Sequence, residues 1–295
     1  MDVNIIDLIE EHGSEEKCRE YLEALRWPSG PACLRCRSLN AAPILHRSQY
    51  RCRGCGYHFS VTAGTIFQDS HLPLTRWFLT TYMMIESKKS ISANKIKRTI
   101  GVSYKTAWYL CHRIRKAMEH AAPASLKGIV EVDETYVGGN RRRVGSGRRV
   151  DKTIAIGAVG RSGGIRLHVV PQGHPCGAFS KFATEVTDPT ASVYTDESQA
   201  YRNLGKRGRA HESVNHSAGE YVRGDLHTNT VESAWSFFQQ SIVGAYHQIS
   251  TKHMPKYLDE QAWHFDNRCN EYLFRDTLLK LLEAKGLPFK TLVNE

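Results

Sequence analysis

Ile129-Val130-Glu131-Val132-Asp133-Glu134-Thr135-Tyr136-Val137 is where the chain changes character. Upstream, from Leu74 to about His120, apolar residues recur at helical spacing. Here β-branched and polar residues alternate with a period of two, which predicts a strand. An ionised aspartate in such a strand needs a partner or a metal ion. Two further strands, Ile154 to Val159 and Ile165 to Val170, are joined by Gly160-Arg161-Ser162-Gly163-Gly164, a glycine-bearing hairpin loop. A helical stretch near Phe179 to Val186, a strand Ala191 to Asp196 and a polar, strand-like segment around His211 to Tyr221 come next. A helix then starts at about Thr228 or Asn229, with Val231, Trp235, Phe238 and Ile242 on its apolar stripe. The alternation predicts an α/β domain beginning near residue 128.

Three carboxylates stand out in this domain: Asp133 in the first strand, Asp196 at the end of a later one, and Glu232 beside the helix stripe in its first turn. Brought together they supply the hard oxygens that two Mg²⁺ ions require. Such ions, roughly 3.5 to 4 Å apart, activate a nucleophile and stabilise the leaving oxygen of a phosphodiester. Each acid also has an ordinary role open to it, as a strand-end cap, a helix first-turn charge or half of an ion pair. Glu131, Glu134, Glu197, Glu212 and Asp225 compete for the same assignment, and periodicity does not choose among them.

Upstream, Cys33, Cys36, Cys52 and Cys55 form CLRC, fifteen intervening residues, then CRGC. Two cysteines two residues apart share one tight knuckle, and two knuckles complete the tetrahedral four-sulfur shell of a closed, structural Zn²⁺ site. Gly54 and Gly56 suit the second turn, and Ile44, Leu45, Tyr50 and Phe59 are expected in short strands on the metal. Cys18, Cys111, Cys176 and Cys269 are isolated and expected to be buried as small hydrophobes. Residues 1 to about 28 read as a short helix pair.

Ser92 and Ser103 cap two helices separated by Gly101, the spacing of a helix-turn-helix. Tyr104, Lys105, Thr106, Tyr109, His112 and Arg113 lie off the apolar stripe of the second and are expected to reach phosphates or base edges. The chain of 295 residues carries 40 Lys+Arg against 30 Asp+Glu, a net charge of +10. Nine basic residues and no acid fall between Lys88 and Lys116, and Arg141, Arg142, Arg143, Arg148, Arg149 and Lys152 form a second cluster. Clustered cations suit a polyanion, because each neutralised phosphate releases counterions. The longest mostly apolar run, Trp77 to Ile85, is about half of the roughly 20 residues that span a bilayer, so no membrane segment is expected. The opening Met1-Asp2-Val3 lacks the basic start of a secretory signal, which points to the cytoplasm and reduced thiols.

The runs CLRC (33–36), YRCRGCGYHFSVTAGTIFQDSHLPLTRWF (50–78), VDETYVGG (132–139), VYTDESQAY (193–201), VNHSAGEYVRG (214–224) and HTNTVESAWSFF (227–238) resemble the zinc-ribbon-bearing bacterial insertion-sequence transposases. Those enzymes are of the DDE type with an RNase H-like catalytic domain. The similarity runs from about residue 20 to 275. It implies Asp133, Asp196 and Glu232 as catalytic acids holding two Mg²⁺, with Mn²⁺ able to substitute, and one structural Zn²⁺ on the four cysteines. It implies a mixed sheet flanked by helices (128–275), preceded by a helical segment (1–30), a zinc ribbon (31–66) and a helix-turn-helix-like module (72–122), and followed by a tail (276–295).

The implied partners are the DNA of terminal inverted repeats and of the target, with a homo-oligomer assembled on the element ends. The Arg/Gly loop from Arg141 to Lys152 is expected beside the cleavage site. Where the family usually has Lys, seven positions after Glu232, this chain has Gln239, expected on the DNA-facing side of its helix. That departure keeps open a second reading, a DNA-binding protein derived from such a transposase without its catalysis. His227 and Asn229 also match the family motif, with no role assigned.

Overall fold

A computed structural model describes residues 4–119, 124–138, 152–170, 177–205, 208, 210–220 and 222–294. The chain divides into two compact units, Met1–Met118 with Cys269–Glu295, and Glu119–Arg268. No helix among the described residues is long and apolar enough to cross a membrane.

The first unit opens with α1 (Ile5–His12) and α2 (Glu15–Arg26), each started by a capping side chain, Asn4 and Ser14. A three-stranded antiparallel sheet follows, β1 (Ala41–Ile44), β2 (Gln49–Cys52) and β3 (His58–Phe59). Phe59 packs edge-on against Trp27 and stacks on Tyr50, whose hydroxyl donates to Glu23 of α2 at 2.7 Å. Leu45, expected among the strands, instead sits exposed in the turn after β1.

Three helices come next: α3 (Leu74–Glu86), α4 (Ala93–Ile100) and α5 (Tyr104–Ala117). Ser92 and Ser103 cap α4 and α5 as expected, and Gly101 closes α4 at φ +65° in the left-handed region, where glycine carries no Cβ penalty. The C-terminal residues, expected as a tail beyond 275, form α9 (Leu273–Glu283) and α10 (Phe289–Asn294) of this same unit. Phe274, Leu278, Leu281 and Leu282 of α9 are buried, and α9 packs on α2, α3 and α5.

The second unit holds a five-stranded mixed sheet in the order β6-β5-β4-β7-β8. Its strands are β4 (Ile129–Val137), β5 (Thr153–Gly160), β6 (Ile165–Val170), β7 (Ser192–Thr195) and β8 (Ala210–Ser213). β4, β5 and β6 pair antiparallel, whereas β7 runs parallel to β4 and β8 parallel to β7. The parallel step from β6 to β7 passes through α6 (Ala178–Val186), as a crossover must.

Alternation along β4 divides the layers. Val130 and Val132 join Ile156, Ala158 and Val193 beneath Phe182 and Ala183 of α6. Val137, with Ala155, Val159 and Ile165, faces Val231, Ala234, Trp235 and Phe238 of α7 (Asn229–Ser241) and Met254, Tyr257 and Leu258 of α8 (Met254–Asp266). Glu131, Asp133 and Thr135 therefore share the α7 side.

Candidate active site and metal centre

The four cysteines of the first unit converge as their spacing predicts. Among the described residues they are the one set of metal-ligating side chains whose ligand atoms all lie within 4.8 Å of one another. Cys33 Sγ lies 3.6 Å from Cys55 Sγ, and Cys36 Sγ 3.5 Å from Cys52 Sγ. A tetrahedron with Zn–S bonds of about 2.3 Å has S···S edges of about 3.8 Å, so the shell fits zinc. The two knuckles are built alike: Arg37 N–H donates to Cys33 O and Gly56 N–H to Cys52 O, both at 2.9 Å. Each donor has positive φ, +64° at Arg37 and +73° at Gly56, so the first knuckle reaches without glycine the turn that the second makes with it. Of the isolated cysteines, Cys18 and Cys111 are buried, Cys269 is exposed against expectation, and Cys176 lies outside the described residues.

In the second unit β4 and β7 run parallel with Glu131 opposite Tyr194. Two residues further on lie Asp133, on the α7 side of β4, and Asp196, just past the end of β7. α7 lies over that face of β4 and β5 and carries Glu232 in its first turn. Burial, then the charges of Glu134, Asp196 and Glu232, push the Asp133 carboxyl up to about 7, although a backbone hydrogen bond opposes them. The Thr228 hydroxyl donates to Glu232 Oε1 at 2.6 Å, and Asp196 Oδ1 accepts from Ser198 N–H at 3.0 Å.

The competing acids have partners or positions of their own, although Glu134 also lies close enough to act on Asp133. Glu134 accepts the Tyr201 hydroxyl at 2.6 Å, and Glu197 accepts from the Ser217 amide at 3.0 Å. Glu212 and Asp225 are exposed on the surface. Glu131 is 0% exposed, paired with Arg161 Nε at 2.7 Å, and its other oxygen accepts the Thr230 and Val231 amides at 2.7 and 3.2 Å. Sequence reasoning gave Glu131 no role beyond that of a rival acid. The available signal was its place two residues before Asp133, which puts both on one strand face. His227 Nδ1 lies 3.3 Å from Glu131 Oε1, and Asn229 is the first residue of α7.

The residues expected to touch nucleic acid divide. Tyr104 and Lys105 are exposed at the start of α5, Lys105 resting on the Phe289 ring, while Thr106 is half-buried beside Ser103. Arg113 corrects the expectation. It is only 5% exposed, donates to the Ile66 and Gln68 carbonyls, and lies over the Trp77 and Tyr109 rings, so it ties the segment after the ribbon to α5 rather than facing solvent. Tyr109 donates to the Leu287 carbonyl, and His112 is buried. Lys88, Lys89, Lys95, Lys97 and Arg98, on α4 and the segment before it, are exposed, so much of the accessible charge of this stretch precedes α5. Gln239 donates to Thr135 Oγ1 at 3.3 Å, which turns it to β4. Arg141, Arg142, Arg143, Arg148 and Arg149 lie outside the described residues.

Residues 125–266 match the ISXO2-like transposase domain, and residues 13–58 the transposase zinc-ribbon domain. An uncharacterized protein in the transposable element ISH50 of Halobacterium salinarum is 31% identical over 244 residues, 75% of this chain and 80% of that protein. No solved structure matches the chain.

Proposed function

The chain belongs to the zinc-ribbon-bearing insertion-sequence transposases, and from that premise we propose that it is a metal-dependent DDE enzyme with an RNase H-like catalytic domain. In this reading Asp133, Asp196 and Glu232 hold two Mg²⁺ ions that serve hydrolysis at the element ends and joining of the freed 3′-hydroxyl to target DNA. The observation that carries it is that three carboxylates, from β4, the residue after β7 and the first turn of α7, lie near enough for the charges of Asp196 and Glu232 to act on Asp133, after the larger effects of burial and Glu134. The order β6-β5-β4-β7-β8, with an antiparallel half and a parallel half, is consistent with the RNase H-like assignment.

The donor set fits the ions: carboxylate oxygens are the ligands Mg²⁺ takes, and a dication offsets both the burial and the neighbouring negative charges that raise the Asp133 carboxyl. When bound, the two ions supply activation of the attacking oxygen and stabilisation of the leaving oxygen in an in-line displacement. Thr228 holds the Glu232 rotamer, β4 carries Asp133, and Asp196 follows the end of β7.

DNA is gripped, in the same reading, by the zinc ribbon and the helix-turn-helix. Lys88, Lys89, Lys95, Lys97, Arg98 and Lys105 supply phosphate contacts, and Tyr104 and Thr106 are assigned to base edges. The Arg-rich stretch from Arg141 to Lys152, which follows β4 in sequence, is assigned to the DNA backbone near the cut. Two element ends are joined by a homo-oligomer. The test is cleavage of a labelled element-end fragment in Mg²⁺. Asp133→Asn and Asp196→Asn are expected to bind the fragment as wild type does and to leave it uncut; a variant that still cuts overturns the assignment.

A further inference from the structure

We propose that the Glu131–Arg161 pair, its carboxylate fully buried and its guanidinium partly so, is the positioning device of the acid cluster, one ion pair that fixes all three carboxylate-bearing segments at once. The inference rests on the catalytic reading above. It starts from a displaced helix cap. Thr228 occupies the N-cap position of α7 but makes no capping hydrogen bond; its hydroxyl goes to Glu232 Oε1 instead. The first-turn amides that a cap would satisfy, those of Thr230 and Val231, point at Glu131 Oε2 at 2.7 and 3.2 Å, and the Thr230 hydroxyl reaches Glu131 Oε1 at 3.0 Å. A carboxylate two residues from Asp133 on β4 thus caps the helix of Glu232, where a negative charge is favoured by the helix dipole. Thr228 is thereby free to hold the Glu232 rotamer.

Arg161 closes the arrangement. Its Nε lies 2.7 Å from Glu131 Oε1, its Nη2 donates to the His227 carbonyl at 3.2 Å, and its guanidinium sits 5.3 Å from the centre of the Tyr194 ring. Its own backbone is pinned to β4 by Arg161 N–H to Ile129 O at 3.0 Å. Glu131, Tyr194 and Thr230 each stand two residues before an acid: Asp133, Asp196 and Glu232. A buried ion pair is a weak source of net stability, because desolvating both charges offsets their attraction. Its orientation of three ligand-bearing segments gives it a use that stability does not. Groups that hold metal ligands in place typically govern affinity for the metal by about 10- to 100-fold.

The test is Mn²⁺ binding by titration calorimetry on the zinc-loaded full chain, with thermal melts to establish folding. The set is wild type, Asp133→Asn, Glu131→Gln, Arg161→Lys and the double Glu131→Gln/Arg161→Gln. The double variant leaves no uncompensated charge in the interior and is the one best able to fold. The expected result is a folded protein with about one zinc per chain and Mn²⁺ affinity weakened about tenfold or more. A folded Glu131 or Arg161 variant with wild-type Mn²⁺ affinity overturns the inference. So does failure of all three such variants to fold, since the pair would then only hold the fold together. Were wild-type Mn²⁺ binding indifferent to Asp133→Asn, the catalytic reading itself would fall. If Asp133→Asn abolishes binding but the double variant keeps it, only the positioning role is lost.

Discussion

Gly157 lies opposite Asp133 in the β4–β5 ladder, and the space its missing side chain leaves is taken by α7. A Cβ there would stand 2.7 Å from Trp235 Cζ2 and 2.9 Å from Leu167 Cδ2. Carbon atoms in contact settle at about 3.5 to 4.0 Å, so in Gly157→Ala the indole must retreat by roughly 0.8 Å or more. The backbone at Gly157 is outside the left-handed region, so alanine meets no conformational penalty and the effect is steric. Trp235 is buried and follows Glu232 by three residues on α7, one helical turn along the same side. Overpacking of this kind costs about 1 to 3 kcal/mol, several degrees of Tm for a unit of this size. Displacing a reacting constellation by about 1 Å costs on the order of 10²-fold in rate. Single-turnover cleavage of an element-end fragment, measured well below the melting transition, is therefore expected to fall by tens- to a hundredfold in Gly157→Ala. Gly205→Ala, whose Cβ meets nothing within 4 Å, is expected to match wild type. Cleavage within about twofold of wild type together with an unchanged Tm would refute the claim that α7 is seated by this close approach.

Burial and the neighbouring acids hold Asp133 at about 7, above the 3.8 of an unperturbed carboxyl, so between those pH values the folded, cation-free protein binds the extra proton and loses stability as pH rises. Melts of the zinc-loaded protein without added Mg²⁺ or Mn²⁺ are expected to show a Tm that falls from pH 5 towards 7, and Mn²⁺ titrations an affinity that climbs by up to about tenfold per pH unit below 7 and levels off above it; a flat profile contradicts the shared-charge site. Metal analysis is expected to find about one zinc equivalent in wild type and to find it lost in Cys33→Ser, with lower melting of the first unit, because structural zinc contributes folding free energy directly. Arg113→Met strips the partner from the Ile66 and Gln68 carbonyls and is expected to destabilise that unit by about 2 to 4 kcal/mol in denaturant melts, whereas an Arg113 that only faced DNA would leave the melt unmoved.

Local pattern carried much of this structure and failed at identifiable places. The strand of Asp133, the stripe Val231-Trp235-Phe238 and the paired cysteines are legible because each depends on near neighbours in sequence, through pleat, helical turn or knuckle. Arg113 is not. It lies off the stripe that α5 shows to α4 and is buried by the Ile66 and Gln68 carbonyls and the Trp77 ring, while α5 also packs on α9, all of them partners distant in sequence that no local period reveals. The same helix explains why residues after 275 read as a tail: their apolar face has no visible partner until the first unit is assembled. Among the acids, periodicity placed Glu131 and Asp133 on one face but could not say which would be neutralised from inside the fold. That depends on Arg161, in a hairpin loop that reads as nothing more than a turn.

The central claim, that Asp133, Asp196 and Glu232 together hold divalent cations, is tested most directly by anomalous diffraction from crystals of the protein with Mn²⁺. The account predicts peaks ligated by oxygens of all three side chains at about 2.0 to 2.2 Å. A peak held by Glu134 or Glu131 in place of one of the three, or no peak at the cluster under conditions in which the protein cuts DNA, would contradict it.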